Sequence, residues 1–293
     1  MSTLRMRLRA AGAAAAIGLK DKLAYRINFG GTMLTYALFV FVFSRIWASS
    51  LGDSSIAGYN YSMMVWYFIV AEIPLFALGR FFWTLSRDMK SGQVAYQLSR
   101  PYDFVAYQFW ERIGSALPDL LILMLEGLLI GLLLTGGFPP ALAAVGPPDI
   151  AAASTGLAGT AAAATGVAAW LRLLFVPLSL LLSGIVNFYL QFALSMTAFW
   201  LEENEAFFWI FQKIALVVGT LLPIEFLPEA AQRIVVWTPF PYIAYAPARI
   251  MTAFELSGAL RLIAGQLLWA VIGLALARLV FRAGSRKIAV NGG

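Results

Sequence analysis

The sequence predicts an all-α protein that crosses a membrane several times, and three observations predict it. Of 293 residues, 61% are hydrophobic and 12% charged, with a mean hydropathy of +0.79. A soluble domain cannot hide that much apolar surface, whereas a bilayer can. The apolar residues fall into six long runs separated by shorter polar segments. Most of the 21 Lys and Arg lie on one side of those runs, the asymmetry that marks the inner face of a membrane protein.

The same composition excludes several functions. Cysteine and histidine are both absent, which removes disulfides, thiolate and imidazole metal ligands, and any catalytic triad that needs His or Cys. No G-x-x-x-x-G-K-[ST] loop is present, so the chain does not hydrolyse ATP by that route. The net charge of +6 sits beside the spans, which points to topology and anionic lipid headgroups rather than nucleic acid. No cleavable leader is expected, because the first apolar run follows a long basic stretch and is long enough to stay as a span.

Residues 1–26 carry Arg5, Arg7, Arg9, Lys20, Lys22 and Arg26 around an alanine run. They are expected as a helix on the inner membrane surface, with Leu4, Leu8 and Leu19 near one side; a loose basic tail is the alternative. Residues 27–48 form the first span, closed by Arg45 and Trp47 at the far interface. Residues 61–85 form the second span and contain Glu72 and Pro74. Residues 113–134 form the third and contain Asp119 and Glu126. Residues 136–169, rich in Ala, Gly, Thr and Pro, read as an external low-complexity loop. Residues 170–200 are the fourth span, interrupted by Pro177 and Gly184. Glu202, Glu203 and Glu205 form an acidic inner turn before a fifth span at 207–222. In 223–254, Pro223, Pro228, Pro239, Pro241 and Pro247 forbid one continuous helix. Broken backbone at membrane depth needs cover from protein or water. Two short helices, 229–237 and 242–254, are therefore expected as an external re-entrant hairpin. Residues 260–281 are the sixth span, and a basic tail follows. Six spans put both termini inside.

The charged stretch 87–104 separates the second and third spans. Ser91 is placed to cap a short helix, on which Val94, Ala95 and Leu98 share an apolar face. Pro101 stops it by pushing Arg100 out of the α region, and Asp103 is placed to cap the helix that follows. This is either an ordinary inner loop or a docking element for a soluble partner.

Ionisable groups inside spans are functional candidates by default. Asp119 and Glu126 are seven residues apart and share a helix face. For Asp119, near the inner end, a hydrogen bond to a neighbouring helix is the favoured role. For Glu72 and Glu126, interhelical bonding and a substrate path both stay open. Trp66, Tyr67, Phe188, Tyr189, Phe199 and Trp200 are candidates for an apolar cleft, or else packing and interface anchors.

Two motifs carry a family resemblance. Residues 90–101, Lys-Ser-Gly-Gln-Val-Ala-Tyr-Gln-Leu-Ser-Arg-Pro, resemble the stretch after the second span in membrane subunits of ABC-2 type transporters. Residues 219–228, Gly-Thr-Leu-Leu-Pro-Ile-Glu-Phe-Leu-Pro, followed by Thr238–Tyr242 and Tyr245–Arg249, resemble that family's fifth-span exit and external hairpin. Gln266 and Trp269 in the last span and the closing Gly-Gly also fit. The resemblance covers almost the whole chain, with the Ala-rich insert 136–169 as its departure from a compact external loop. It implies a permease half-transporter that pairs with a second permease, the same chain or a related one. ATP and Mg are bound by separate ABC ATPase subunits, and this chain itself holds no cofactor or metal. Ser91, Gly92, Val94, Ala95, Leu98, Arg100 and Pro101 are then the ATPase-coupling residues, and Glu72, Glu126, Trp66, Phe188 and Tyr189 line the path of a small amphiphilic substrate exported across a prokaryotic inner membrane. Two other classes remain beside it: a membrane enzyme acting on lipid-linked substrates, with only Asp119 and Glu126 available as acid and base, and an assembly subunit with no transport path.

Overall fold

The computed structural model describes residues 2–24, 27–52, 54–78, 81–98, 102–137 and 166–291. The expectations on Arg100, Pro101 and the Ala-rich stretch 138–165 lie outside the described residues, as do the side chains of Ala95 and Leu98. The described chain is helical. Its helices are α1 (Ser2–Ala24), α2 (Ile27–Leu51), α3 (Tyr61–Leu78), α4 (Phe81–Lys90), α5 (Gln93–Leu98), α6 (Phe104–Thr135), α7 (Gly166–Met196), α8 (Glu205–Val217), α9 (Glu229–Val235), α10 (Phe240–Ile243), α11 (Tyr245–Thr252) and α12 (Leu256–Asn291). Five of the segments, within α2, α3–α4, α6, α7 and α12, are long and apolar enough to cross a membrane.

The bundle is built around α3. Every residue from Met64 to Ile73 is buried, the pattern of a helix that is apolar all round and enclosed on all sides. Helices α2, α6, α7 and α11 pack against it. Trp66 of α3 fits against Gly131 of α6, where an added Cβ would lie 2.3 Å from the indole ring. Helix α6 begins at Phe104, nine residues before the apolar run 113–134, because Asp103 caps it: the carboxylate accepts from the Ala106 N–H at 2.9 Å. At about 48 Å, α6 exceeds a hydrocarbon core of roughly 30 Å. Its polar first turns are therefore free to stand beyond the core.

Helix α1 is docked along α6. The docked face is not the leucine side: Leu8 and Leu19 are exposed, while Ala14 and Gly18 are buried and Ala11 and Ala15 partly so. These small residues recur at helical spacing and let two backbones approach closely. A Cβ on Gly18 would lie 1.9 Å from the Glu111 carbonyl oxygen, and one on Gly114 would lie 1.9 Å from that of Ala15. Gly114→Val should therefore push α1 off α6, since overpacking of this kind costs about 1–3 kcal/mol or more. Trypsin is expected to cut after Lys20 and Lys22 in that variant, with the rest of the bundle intact; equal resistance of variant and parent would count against the docked α1.

The apolar run 207–222 forms a shorter helix than expected. Helix α8 ends at Val217, about 20 Å long. Val218 is extended, and Gly219 turns the chain at a φ of +96°. Only glycine fits there without strain. A Cβ would also approach the Tyr245 backbone N at 3.2 Å. Beyond it the proline-rich region forms a single turn at Ile224–Phe226 and the three short helices α9, α10 and α11, rather than two.

Candidate functional site

The corner α4–α5–α6 contains the expected short helix, with two differences from the sequence reading. The Ser91 hydroxyl donates backward to the Asp88 carbonyl at 3.2 Å, closing α4. The turn into α5 is made by Gly92 at a φ of +76°. Val94 is 1% exposed and lies in the chain's own core cluster with Phe81, Leu85, Phe104 and Val105. Its side chain seats α5 on the bundle. Ser91, Gly92 and Gln93 are exposed. A hydrogen bond from Gln108 Nε2 to Gln97 Oε1 at 3.0 Å ties α5 to α6. Nearby, Asn204 accepts from Ser86 Oγ at 2.8 Å and donates to the Leu194 and Ser195 carbonyls. Phe82 stacks on Phe208 at 4.2 Å. The acidic turn at Glu202–Glu205 is thereby locked to α4 and α7.

A cavity of about 760 Å³ opens between α1, α2, α3, α6 and α8. Its charged lining is Lys22, Glu72, Arg112, Asp119 and Lys213, and its apolar lining includes Phe39, Leu75, Phe76 and Leu216. Three of these five groups are committed. Lys22 pairs with Asp119 at 2.7 Å. Arg112 donates to the Ala77 carbonyl at 3.1 Å and lies over the Phe81 ring, tying α6 to both α3 and α4. Glu72 differs: it is 2% exposed, and its Oε1 has no hydrogen-bond partner among the described residues.

The other path candidates do not join Glu72 in that cavity. Asp119 takes the interhelical role through Lys22. Glu126 is half-buried, lies outside the cavity lining, and has an Oε2 with no hydrogen-bond partner among the described residues. Trp66 is packed on Gly131 in the central core. Phe188 and Tyr189 belong to an aromatic cluster with Phe109: Tyr189 stacks on Phe109 at 5.4 Å, and Phe188 meets Phe81 at 4.8 Å. Among the described residues no cluster of three acidic side chains converges to hold a metal ion.

Sequence reasoning missed a polar spine on α7. Ser179, Ser183, Asn187, Gln191 and Ser195 recur every four residues, and all are buried. Gln266 of α12 accepts from Ser179 Oγ at 3.0 Å, and the two N–H donors of its Nε2 are shared among the Ser179 carbonyl at 3.0 Å, the Ser183 hydroxyl at 2.9 Å and the Tyr242 carbonyl at 3.1 Å. Asn187 donates to the Pro74 carbonyl at 3.1 Å. The spine therefore joins α3, α7, α10 and α12 in a setting where apolar contact alone does not distinguish helix from lipid. The four-residue spacing of polar residues in an apolar helix was the available signal.

At the opposite end Glu225 is the hub. It accepts from Tyr245 at 2.7 Å and Tyr59 at 3.4 Å, and pairs with Arg249 at 3.0 Å. Burial, reinforced by the Glu225 charge, holds the Tyr59 hydroxyl well above its ordinary pKa. Tyr67 donates to the Gly219 carbonyl at 2.5 Å, so the bend after α8 is bonded directly to the central helix.

The profile of a family described as ABC-2 family transporter protein matches residues 29–292. No curated protein matches the sequence. A match of that extent takes in nearly all of α2 and the whole of α3 through α12, including the corner at α5, the charged cavity apart from Lys22 and the broken helices around Glu225, and it places the chain in the ABC-2 transporter family as a multi-pass membrane permease.

Proposed function

We propose that the chain is one permease half of an ATP-driven exporter in the cytoplasmic membrane of a prokaryote. It moves an amphiphilic or hydrophobic compound, such as a drug, lipid or peptide, while separate ABC ATPase subunits bind and hydrolyse ATP. Two permeases pair, as two copies of this chain or as related chains, and both termini are cytoplasmic. In this reading α8 and the chain to residue 222 make the fifth of six passes, with 223–254 a re-entrant external hairpin covered by α3 and α7.

The observation that carries the reading is the corner α4–α5–α6. ATP-driven closure of two ATPase subunits moves the membrane part only through a stiff contact. Here a six-residue helix is seated by Val94, fastened by Gln108–Gln97 and followed at once by a capped helix. The exposed residues Ser91, Gly92 and Gln93 are its face toward the ATPase, with Ala95, Leu98, Arg100 and Pro101 completing the coupling segment. Glu72 and Glu126 are the membrane carboxylates on the substrate side, with Trp66, Phe188 and Tyr189 shaping the surrounding packing.

The test is isolation of the tagged full-length chain from its own membranes, followed by identification of what accompanies it. A phosphate-loop ATPase in stoichiometric amount, with ATP turnover that responds to added amphiphiles, is expected. Recovery of the intact chain without any ATPase would remove the exporter reading.

A further inference from the structure

We infer that the cavity between α1, α2, α3, α6 and α8 binds the headgroup of a zwitterionic amphiphile, with Glu72 taking its cationic group and Lys213 its anionic group. The inference rests on the exporter reading and names the chemistry of its substrate. Of the five charged residues lining the cavity, Lys22 and Asp119 neutralise each other at 2.7 Å, and Arg112 is held by the Ala77 carbonyl and the Phe81 ring. Glu72 and Lys213 remain, and they have opposite signs.

Their surroundings differ in a way that fits such a ligand. Glu72 is almost completely buried in the central helix and has an oxygen with no partner among the described residues. A buried carboxylate without a partner is costly, and a cationic ligand group relieves that cost. Lys213 is exposed on α8 at the cavity wall and makes no ion pair or hydrogen bond among the described residues. Phe39, Leu75, Phe76 and Leu216 line the same cavity and give it an apolar wall, whose two aromatic rings are of the kind that attracts an ammonium group. With three basic and two acidic residues the wall is net positive, so a purely cationic ligand is disfavoured relative to one that also carries an anionic group. A volume of about 760 Å³ falls within the roughly 300–1,000 Å³ typical of small-molecule sites.

The same chemistry occurs in a bilayer phospholipid headgroup and in a free zwitterionic amphiphile, and the experiment separates the two. The full-length chain is placed in nanodiscs of phosphatidylglycerol, which contain no competing zwitterion. Binding is measured for four probes with a twelve-carbon chain: lysophosphatidylethanolamine, N-dodecyl-N,N-dimethylglycine, dodecyltrimethylammonium and dodecyl phosphate. Both zwitterions should bind about tenfold or more tightly than either singly charged probe, since each charged contact is worth at least that factor when desolvated. Glu72→Gln should weaken the zwitterions and the cation about tenfold and leave dodecyl phosphate unchanged. Lys213→Gln should weaken the zwitterions and dodecyl phosphate and leave the cation unchanged. Tighter binding of lysophosphatidylethanolamine than of the betaine assigns the site to a lipid headgroup; the reverse order assigns it to a free amphiphile. Zwitterions that bind no more tightly than the single charges would overturn the inference, as would an unchanged zwitterion affinity in Lys213→Gln, an exposed position where folding is not at stake. The measurement needs neither ATP nor an ATPase. Binding as described without transport in reconstituted complexes would therefore sink the exporter reading alone, whereas transport of some other amphiphile without this binding would sink only the zwitterion site.

Discussion

Val94→Asp is expected to strip the ATPase from the purified permease and abolish transport while the chain still inserts. Val94 is 1% exposed among Phe81, Leu85, Phe104 and Val105. Removing it gives up about 1.5–3 kcal/mol of apolar burial, and the carboxylate that replaces it would be desolvated among those apolar side chains. Helix α5 has six residues, too few to persist once its anchor is lost. The predicted failure therefore starts inside the permease: α5 lifts, and the exposed turn at Ser91–Gln93 no longer presents a stiff surface. Limited proteolysis between α4 and α6 should increase in parallel with loss of the ATPase. Gln93→Asp, on the exposed side, should leave α5 seated and reduce co-purification only modestly, because exposed charges are screened and contribute below about 1 kcal/mol. Full retention of ATPase and normal transport in Val94→Asp would show that the corner has no part in coupling.

Gln266→Leu is expected to have the next largest effect, and on stability rather than coupling. Gln266 accepts one hydrogen bond from Ser179 and shares its two N–H donors among two acceptors on α7 and the Tyr242 carbonyl. Interhelical hydrogen bonds within membranes contribute on average about 0.6 kcal/mol and at most about 1.7, so the network should lose about 2 kcal/mol. Part of that loss is the Ser179 hydroxyl, left without its acceptor. A lower melting temperature in detergent is expected, with new protease cuts around α9 to α11, since Tyr242 is the point at which those short helices are tied to α12. Ser179→Ala, which removes a single bond, should do much less. Equal melting temperatures for Gln266→Leu and the parent would mean that packing alone holds α12 to α7.

Some of this was legible in the sequence for clear physical reasons. Asp103 caps α6 as its position predicts, because capping depends on the next three residues and nothing else. Pro223, Pro228 and Pro239 stand just before the short helical segments after α8, and Gly219 turns the chain at a positive φ, since a missing N–H and a positive φ act locally. The docked face of α1 was not legible in the same way. Leucines were the natural choice for a buried side, yet the contact uses Ala11, Ala14, Ala15 and Gly18, because two helices approach closely only where side chains are small. The same difficulty applies to α6 and α7. Leu117, Leu121, Leu125, Leu129 and Leu133 recur every four residues and are exposed, while Ser179 through Ser195 recur at the same spacing and are buried. In lipid the apolar face turns outward and the polar one inward, reversing the rule that serves in water.

By itself the sequence determined an all-helical membrane chain, the position of its apolar runs, the breaks between them and its kinship with ABC-2 permeases, because hydropathy, proline and glycine act locally. Only the tertiary structure decided which of its membrane carboxylates are already paired. Lys22 and Asp119 are 97 positions apart in sequence and 2.7 Å apart in space, and no spacing rule connects them. Along the chain, Asp119 near the inner end was favoured for a bond to a neighbouring helix, whereas Glu72 stayed open between that role and a substrate path. In the packed bundle α3 is enclosed and, among the described residues, Glu72 Oε1 meets no hydrogen-bond partner, which is a property of the assembled helices rather than of any segment.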